Sequence, residues 1–470
     1  MFRKLAFVLS LFVLLSCLLY VRFNQAKVNA LDSNHVHNIN TGISYPTIQE
    51  AINAPQTVDE HTINVDAGTY YEHIVLNKSV SLIGENAETT IIDGSEAGTV
   101  VIIKADNAKI SNFTIQGSGR TTADSSGIRV DSSNSGNTIS YNVLKSNFCG
   151  IGTLHSENNT FAHNNIFSNN YGITLLSGSK NNIIVGNTIS GNTHGIWCEY
   201  SSDNLIIGNT IIHNNQYGIW LSKSNSSRIY NNNFVGNLLP QMFVLKSFNF
   251  LDNKLEGNYW SDYNGSDSNN DGVGDVPKIV DANNRDNYPL MGIFSVFRIP
   301  LGYDVNVISN STMEEFEYSE SNRTIKIIVS NMTKDQNHGF CRLRLPHGLL
   351  SPPYNVTINN NSVPYTTLNE NDTLSIIYFS YEHSTLEIVI TSNIQNAPAF
   401  PTFVIITLIT IIFVVAALLA IIVRRRKKPP SIRNSVIKTR LNLSLKAMTP
   451  NLIYSDNRMQ LIINPNHSHT

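Results

Sequence analysis

Cysteine is nearly absent from this chain: four residues in 470, one of which, Cys17, sits in an N-terminal apolar run. Cys149, Cys198 and Cys341 occupy unrelated positions, which excludes a disulfide framework. Charge is sparse too, at 14% of residues with a formal net of −2, so no bulk attraction to nucleic acid arises. Asparagine, serine and threonine stand in its place, as suits an exported β protein. The length is too great for one compact core and fits an elongated solenoid with an added domain.

What is present is a repeat. Asn-x-apolar-x-x-Asn opens at Asn142, Asn164, Asn187, Asn209, Asn232 and Asn253, with Leu144, Ile166, Ile189, Ile211, Phe234 and Leu255 at the apolar position. A second register, Asn137, Asn159, Asn182 and Asn204, precedes Ile139, Phe161, Ile184 and Ile206. A third pairs Gly127, Gly150, Gly172, Gly195 and Gly218 with the isoleucines that follow them. Three short apolar strands in each period of about 22 residues predict a parallel β-helix. Right-handed coiling is expected of its parallel crossovers. Stacking then makes Ile128, Ile151, Ile173, Ile196 and Ile219 one internal ladder, with Val130, Thr153, Leu175, Cys198, Leu221 and Val244 inward beside it. The asparagines are expected to bond along the stack and to tolerate left-handed corners, and the glycines to supply positive φ.

The chain is thus expected to be all-β. Residues 45–258 form a right-handed parallel β-helix, opened by an amphipathic helix at 45–52 that caps the exposed strand edges. An acid-rich exit loop spans 259–292. Residues 296–395 alternate as strands do and predict a β-sandwich, a stalk in position between solenoid and membrane.

The ends address the chain. Arg3-Lys4, an apolar run and Val28-Asn29-Ala30 read as a signal peptide over 1–30. Residues 402–423 carry no charge and are long enough to span a bilayer as one transmembrane helix. Arg424-Arg425-Arg426-Lys427-Lys428 follows, which places the basic tail 424–470 in the cytoplasm and the N-terminal ectodomain outside. Eleven Asn-x-Ser/Thr sequons in the ectodomain, Asn77, Asn310, Asn331 and Asn371 among them, permit glycosylation.

Residues 45–52, Gly68-Thr69-Tyr70-Tyr71-Glu72, Ser81-Leu82-Ile83-Gly84-Glu85-Asn86 and the exit Gly257-Asn258-Tyr259-Trp260-Ser261-Asp262-Tyr263 together resemble the NosD-type right-handed β-helix proteins. That group belongs to the wider set of carbohydrate-binding and sugar-hydrolase β-helices, and the resemblance covers about residues 45–292. It implies the fold. For function it implies two things: accessory proteins of copper-site assembly in nitrous oxide reductase, and membrane-anchored relatives, often archaeal, with no assigned reaction.

One position after the strand isoleucines lie Arg129, Gly152, Thr174, Trp197, Trp220 and Phe243, so Trp197, Trp220 and Phe243 are expected side by side on the outer face. Tyr171, His194 and Tyr217 precede the glycines, and Glu199 shares the face of Trp197. A flat aromatic strip beside a carboxylate suits sugar rings, and a self-stabilising aromatic ladder is the plainer alternative.

A polysaccharide lyase or hydrolase would need more. The carboxylate sharing the column of Glu199 is Asp131, three turns away, or roughly 14 Å at the strand spacing, too far for a glycosidase pair. Arg129 and Asp131 share a strand, but no acidic cluster stacks on them. His155, His163, His194 and His213 occupy four different repeat positions, and the catalytic residues are left unassigned. Copper needs gathered soft or imidazole ligands; His35 and His37 are a close set, and Met242 and Met291 lack partners.

Asp267, Asn269, Asp271 and Asp275, with Gly272 at position 6, follow most of a calcium loop, although Lys278 replaces the bidentate glutamate. Asp262, Asp281 or Asp286 would have to complete the shell of a structural Ca²⁺. The expected function is a cell-surface, single-span protein binding glycans or wall polysaccharide along the Trp197/Trp220 face, with no nucleic acid partner. A polysaccharide-cleaving enzyme and a copper-enzyme maturation factor are the alternatives.

Overall fold

The computed structural model describes residues 35–120 and 125–392. Three short strands recur per coil and each joins its own sheet, giving parallel stacks in sheets of ten, nine and eight strands. The first stack runs from Thr62–Val65 to Arg228–Tyr230, the second from Gly68–Tyr70 to Tyr259–Trp260, the third from Ile74–Leu76 to Met242–Leu245. This is an all-β parallel β-helix of the right-handed type, with additional antiparallel sheets after it.

The expected isoleucine ladder forms: Ile128, Ile151, Ile173, Ile196 and Ile219 pair in register and are fully buried. Each contributes about 1.5–3 kcal/mol of apolar burial. The glycines before them serve differently from the expectation. Gly150 is not in the left-handed region; a Cβ on it would come within 2.6 Å of the Gly172 carbonyl oxygen, so glycine is needed for rung-to-rung approach. Nor do the ladder asparagines turn the corner. The residue before each one does, in the column Tyr141, His163, Gly186, Gly208 and Asn231, all at positive φ.

Asparagines stack in three directional ladders. Asn164 donates to Asn187 Oδ1 from both its backbone N–H at 2.9 Å and its Nδ2 at 3.0 Å, while Nδ2 also reaches the Ile139 carbonyl at 2.9 Å. Asn137, Asn159, Asn182 and Asn204 build a second. A third, Asn147, Asn169, Asn192, Asn214 and Asn237, is built by the asparagines that close the first five copies of the repeat. Asn253-x-Leu255 is not a sixth copy of the repeat. Asn253 Oδ1 caps the N–H groups of Leu255 and Glu256, Leu255 is exposed, and Asn232 bonds instead to Asn258. Trp260 therefore takes the core position, stacked on Phe234 at 4.4 Å.

Each ladder ends on an acceptor. Asn258 donates its backbone N–H to Asp286 Oδ2 at 2.7 Å, Asn284 donates to Asp281 Oδ1 at 2.7 Å, and Asn237 Nδ2 meets Gln241 Oε1 at 2.6 Å. The opposite end is covered by the helix Ile48–Asn53. Thr47 caps it, Ile48, Ala51 and Ile52 lie buried, and the Glu72 carboxylate accepts the N–H groups of Ile48 and Gln49. An unforeseen antiparallel hairpin, Val36–Asn38 with Ile43–Tyr45, closes the first sheet.

After the coil, two five-stranded antiparallel sheets share one apolar core. Val305, Val307, Leu343, Ile377 and Phe379 come from one sheet and Ile325, Ile327, Val356, Ile388 and Ile390 from the other. They do not hang from the solenoid as a free stalk. Asn233 and Phe294 exchange two hydrogen bonds of 2.8 Å, and buried Arg342 pairs with buried Glu256 at 3.0 Å. Val273, Leu290, Phe294, Ile308, Phe340 and Tyr378 fill the joint.

Among the described residues no helix is long and apolar enough to cross a membrane. The expected signal (1–30), span (402–423) and basic tail (424–470) lie outside the described residues.

Candidate functional site

The third sheet holds the candidate face. Its pairing puts Arg129, Gly152, Thr174, Trp197, Trp220 and Phe243 in one outward column, and Cys149, Tyr171 and His194 in another. The rings are not a flat pavement. Trp197 and Trp220 have centroids 4.5 Å apart and planes 5° from parallel, which fits offset parallel stacking. Trp220 and Phe243 follow at 4.4 Å and 37°. In the neighbouring column Tyr171, His194 and Tyr217 stack at 5.1 and 5.9 Å, and His194 and Tyr217 meet the indoles edge-on. Trp197 with Trp220, and Tyr171 with His194 and Tyr217, are each internally parallel, but the two sets stand at 73° to 86° to one another. The facing surfaces of Trp197 and Trp220 cover one another.

Burial lowers the pKa of His194, so its imidazole is held neutral, and it raises that of the Tyr171 phenol. His194 Nδ1, Trp220 Nε1 and the Nε of Arg129 are buried without hydrogen-bond partners. Glu199 pairs in register with Leu176 and Ser222, and Asp131 lies near Arg129 at 3.7 Å and Lys104 at 4.0 Å.

Beside the ladder, at the corner entering the third sheet, runs a polar trough of about 380 Å³. Ser146, Ser168, Asn170, Thr193 and Asn215 line it, with Phe148 along one wall and Arg120 at one end. Thr193 Oγ1 donates to Asn170 Oδ1 at 3.2 Å. Sequence reasoning passed over this row because its members read as ordinary corner residues. Their signal was position, just before the aromatic column in successive coils.

The acidic loop is self-satisfied. Asp267 accepts the N–H groups of Asp271 and Gly272, Asp271 Oδ1 accepts Val273 N–H, Asp275 Oδ2 accepts Ser268 N–H, and Asn269 Nδ2 donates to Asp271. Asp262 pairs with Lys278, Asp281 caps Asn284, and Asp286 is buried against Trp260, so the carboxylates expected to complete a calcium shell are engaged elsewhere. Copper fits the donor set poorly. His35 and His37 both turn toward Asp66, at 3.7 and 3.0 Å, Met242 is in the core and Met291 packs at the joint. Among the described residues no three His, Cys, Asp or Glu side chains converge as metal ligands.

Residues 52–265 match the family described as "Periplasmic copper-binding protein (NosD)". Over 106 residues the chain is 38% identical to a cell surface glycoprotein of Methanothermus fervidus, a stretch covering 23% of this chain and 17% of that protein. The chain therefore spans well under two thirds of that relative. Among solved structures, DFA-IIIase from Arthrobacter chlorophenolicus A6 aligns with TM-score 0.35 and 16% identity, over 42% of this chain and 57% of its own. Pectin methylesterase from Yersinia enterocolitica aligns with TM-score 0.28 and 12% identity, over 44% and 90%.

Proposed function

We propose that this chain, whose residues 52–265 form a β-helix of the NosD type, is a surface-displayed binding protein that holds a polysaccharide along its third sheet. The observation that carries the reading is the polar trough running beside the aromatic ladder, with amide and hydroxyl groups repeated coil after coil. An extended glycan lying there meets Ser168, Asn170, Thr193 and Asn215 as hydrogen-bonding partners. Tyr171, His194, Trp197, Tyr217, Trp220 and Phe243 supply the apolar border. Glu199 sets the border's charge. The ladder gives the trough a rigid wall, so little ordering is needed on binding.

Glycan-array binding by the full-length chain tests this. Asn170→Ala with Thr193→Ala is expected to abolish retention of a bound glycan without moving the melting temperature, and unchanged retention would refute the assignment. Trp197→Ala with Trp220→Ala should weaken it as well, with some loss of stability. The reading includes surface location through the signal at 1–30 and the span at 402–423, tested by protease shaving of intact cells. It also keeps a structural Ca²⁺ for Asp267, Asn269, Asp271 and Asp275. A calcium-dependent rise in melting temperature that Asp271→Asn removes would support it, and no rise would end it.

A further inference from the structure

The joint between the solenoid and the antiparallel sheets encloses a second cleft, of about 680 Å³, well within the range of small-ligand sites. Its floor is the left-handed corner column. Tyr141 and His163 stack there at 5.1 Å, and then the column drops to Gly186 and Gly208, which carry no side chain. A Cβ on Gly208 would point toward Phe294 at 3.8 Å, so the glycine gap is part of the open space. Arg298 closes one end, donating to Tyr141 Oη at 3.1 Å and His163 Nε2 at 3.3 Å and pairing with Asp304 at 3.4 Å.

Two groups in this cleft can address a ligand. Arg344 projects, exposed, from the strand His338–Pro346 beside Asn306, its cross-strand neighbour, and lines the cleft. Asn231 lines the opposite end, is 5% exposed, and its Oδ1 has no hydrogen-bond partner. A buried acceptor left unpaired costs about 1–3 kcal/mol. The cleft also carries two guanidiniums against the single carboxylate of Asp304, and His163 is held neutral by burial and by Arg298.

We infer that this cleft binds an acidic sugar: a carboxylate on Arg344, and a ring hydroxyl donating to Asn231 Oδ1. Arginine matches a carboxylate through two parallel N–H···O bonds. Val185 and Ile207 supply an apolar floor for the pyranose C–H face, and Tyr230 stands beside it. A neutral sugar forgoes the Arg344 contact, and a simple carboxylate leaves Asn231 Oδ1 unpaired. This site is separate from the trough on the third sheet and does not rest on the reading given to that face.

Isothermal titration of the full-length chain with sodium glucuronate, glucose and acetate tests it. Glucuronate is expected to bind at least tenfold more tightly than either of the others. Arg344→Gln should weaken glucuronate at least tenfold, and Arg344→Lys should recover part of the loss. Gly208→Asn fills the gap with a residue that tolerates this backbone, as Asn231 does in the same column, and should abolish binding with little change in melting temperature. Asn170→Ala with Thr193→Ala should leave glucuronate binding intact, which separates this site from the trough. No glucuronate binding, equal binding of glucose or acetate, or full binding by Arg344→Gln or Gly208→Asn would overturn the proposal.

Discussion

Gly257 and Asp286 are fitted to one another so closely that a Cβ on the glycine would overlap the carboxylate. Asp286 ends the asparagine ladder that runs from Asn142 to Asn258, accepting from Asn258 N–H at 2.7 Å, Trp260 Nε1 at 2.9 Å and Tyr288 N–H at 3.0 Å. Gly257→Ala must displace that carboxylate and leave buried donors unpaired. A loss on the order of 4 kcal/mol is expected, read by denaturant unfolding. A loss under 1 kcal/mol would show that the exit relaxes without Asp286.

The same carboxyl predicts a pH effect. Burial pushes its pKa up to about 6, against the pull of its N–H donors. With the folded value above the unfolded one, its protonated form favours the native state. That contribution is complete below pH 3.8 and is lost as pH rises through about 6. At 1.36 kcal/mol per unit, the span is about 3 kcal/mol. The stability of the unaltered chain relative to Asp286→Asn should therefore fall between pH 4 and 6.5. A flat difference, or a rising one, would contradict the assignment.

Stacked indoles at 4.5 Å couple their transitions. The near-ultraviolet circular dichroism of the folded chain should show a split band that either Trp197→Phe or Trp220→Phe removes, while Trp260→Phe spares it. A double-mutant cycle across the pair is expected to give about 0.5–1.5 kcal/mol. Additive single effects with an unsplit band would mean the rings do not stack.

Arg342 and Glu256 join the antiparallel sheets to the coil, with side chains 8% and 9% exposed. Removing one partner strands a buried charge, so Arg342→Leu should cost about 3–5 kcal/mol. Glu256→Leu added to it should recover most of that. Recovery is the informative part, because a simple packing defect would worsen in the double variant.

Much of the coil was legible because stacking repeats one chemical demand at one interval. Gly-Ile-x-apolar placed Ile128 over Ile151 and Trp197 over Trp220, and the pairing agrees. The interval says nothing of ring planes, which depend on side-chain torsions, so it could not show that Trp197 and Trp220 stack on one another while Tyr171, His194 and Tyr217 stand across them. Asn253 misled because an asparagine that caps a turn and one that climbs a ladder share a residue type; only the buried Trp260 after Asn258 distinguishes them. The joint was illegible for a different reason. Asn233 meets Phe294 and Arg342 meets Glu256 across unrelated parts of the chain, with no period to announce them.

The asparagine ladders have a direction: each coil passes an unfilled donor to the next until an acid or a glutamine receives it. The solenoid is therefore a polymer with a fixed terminator, and its length is countable in whole coils. Excising residues 187–208 would join Gly186 to Asn209 in register, keeping the opening helix and Asp286 unchanged. It would also remove Trp197 and set Thr174 beneath Trp220. Coil number is thus a dial that lengthens or shortens the outer face while both ends stay constant.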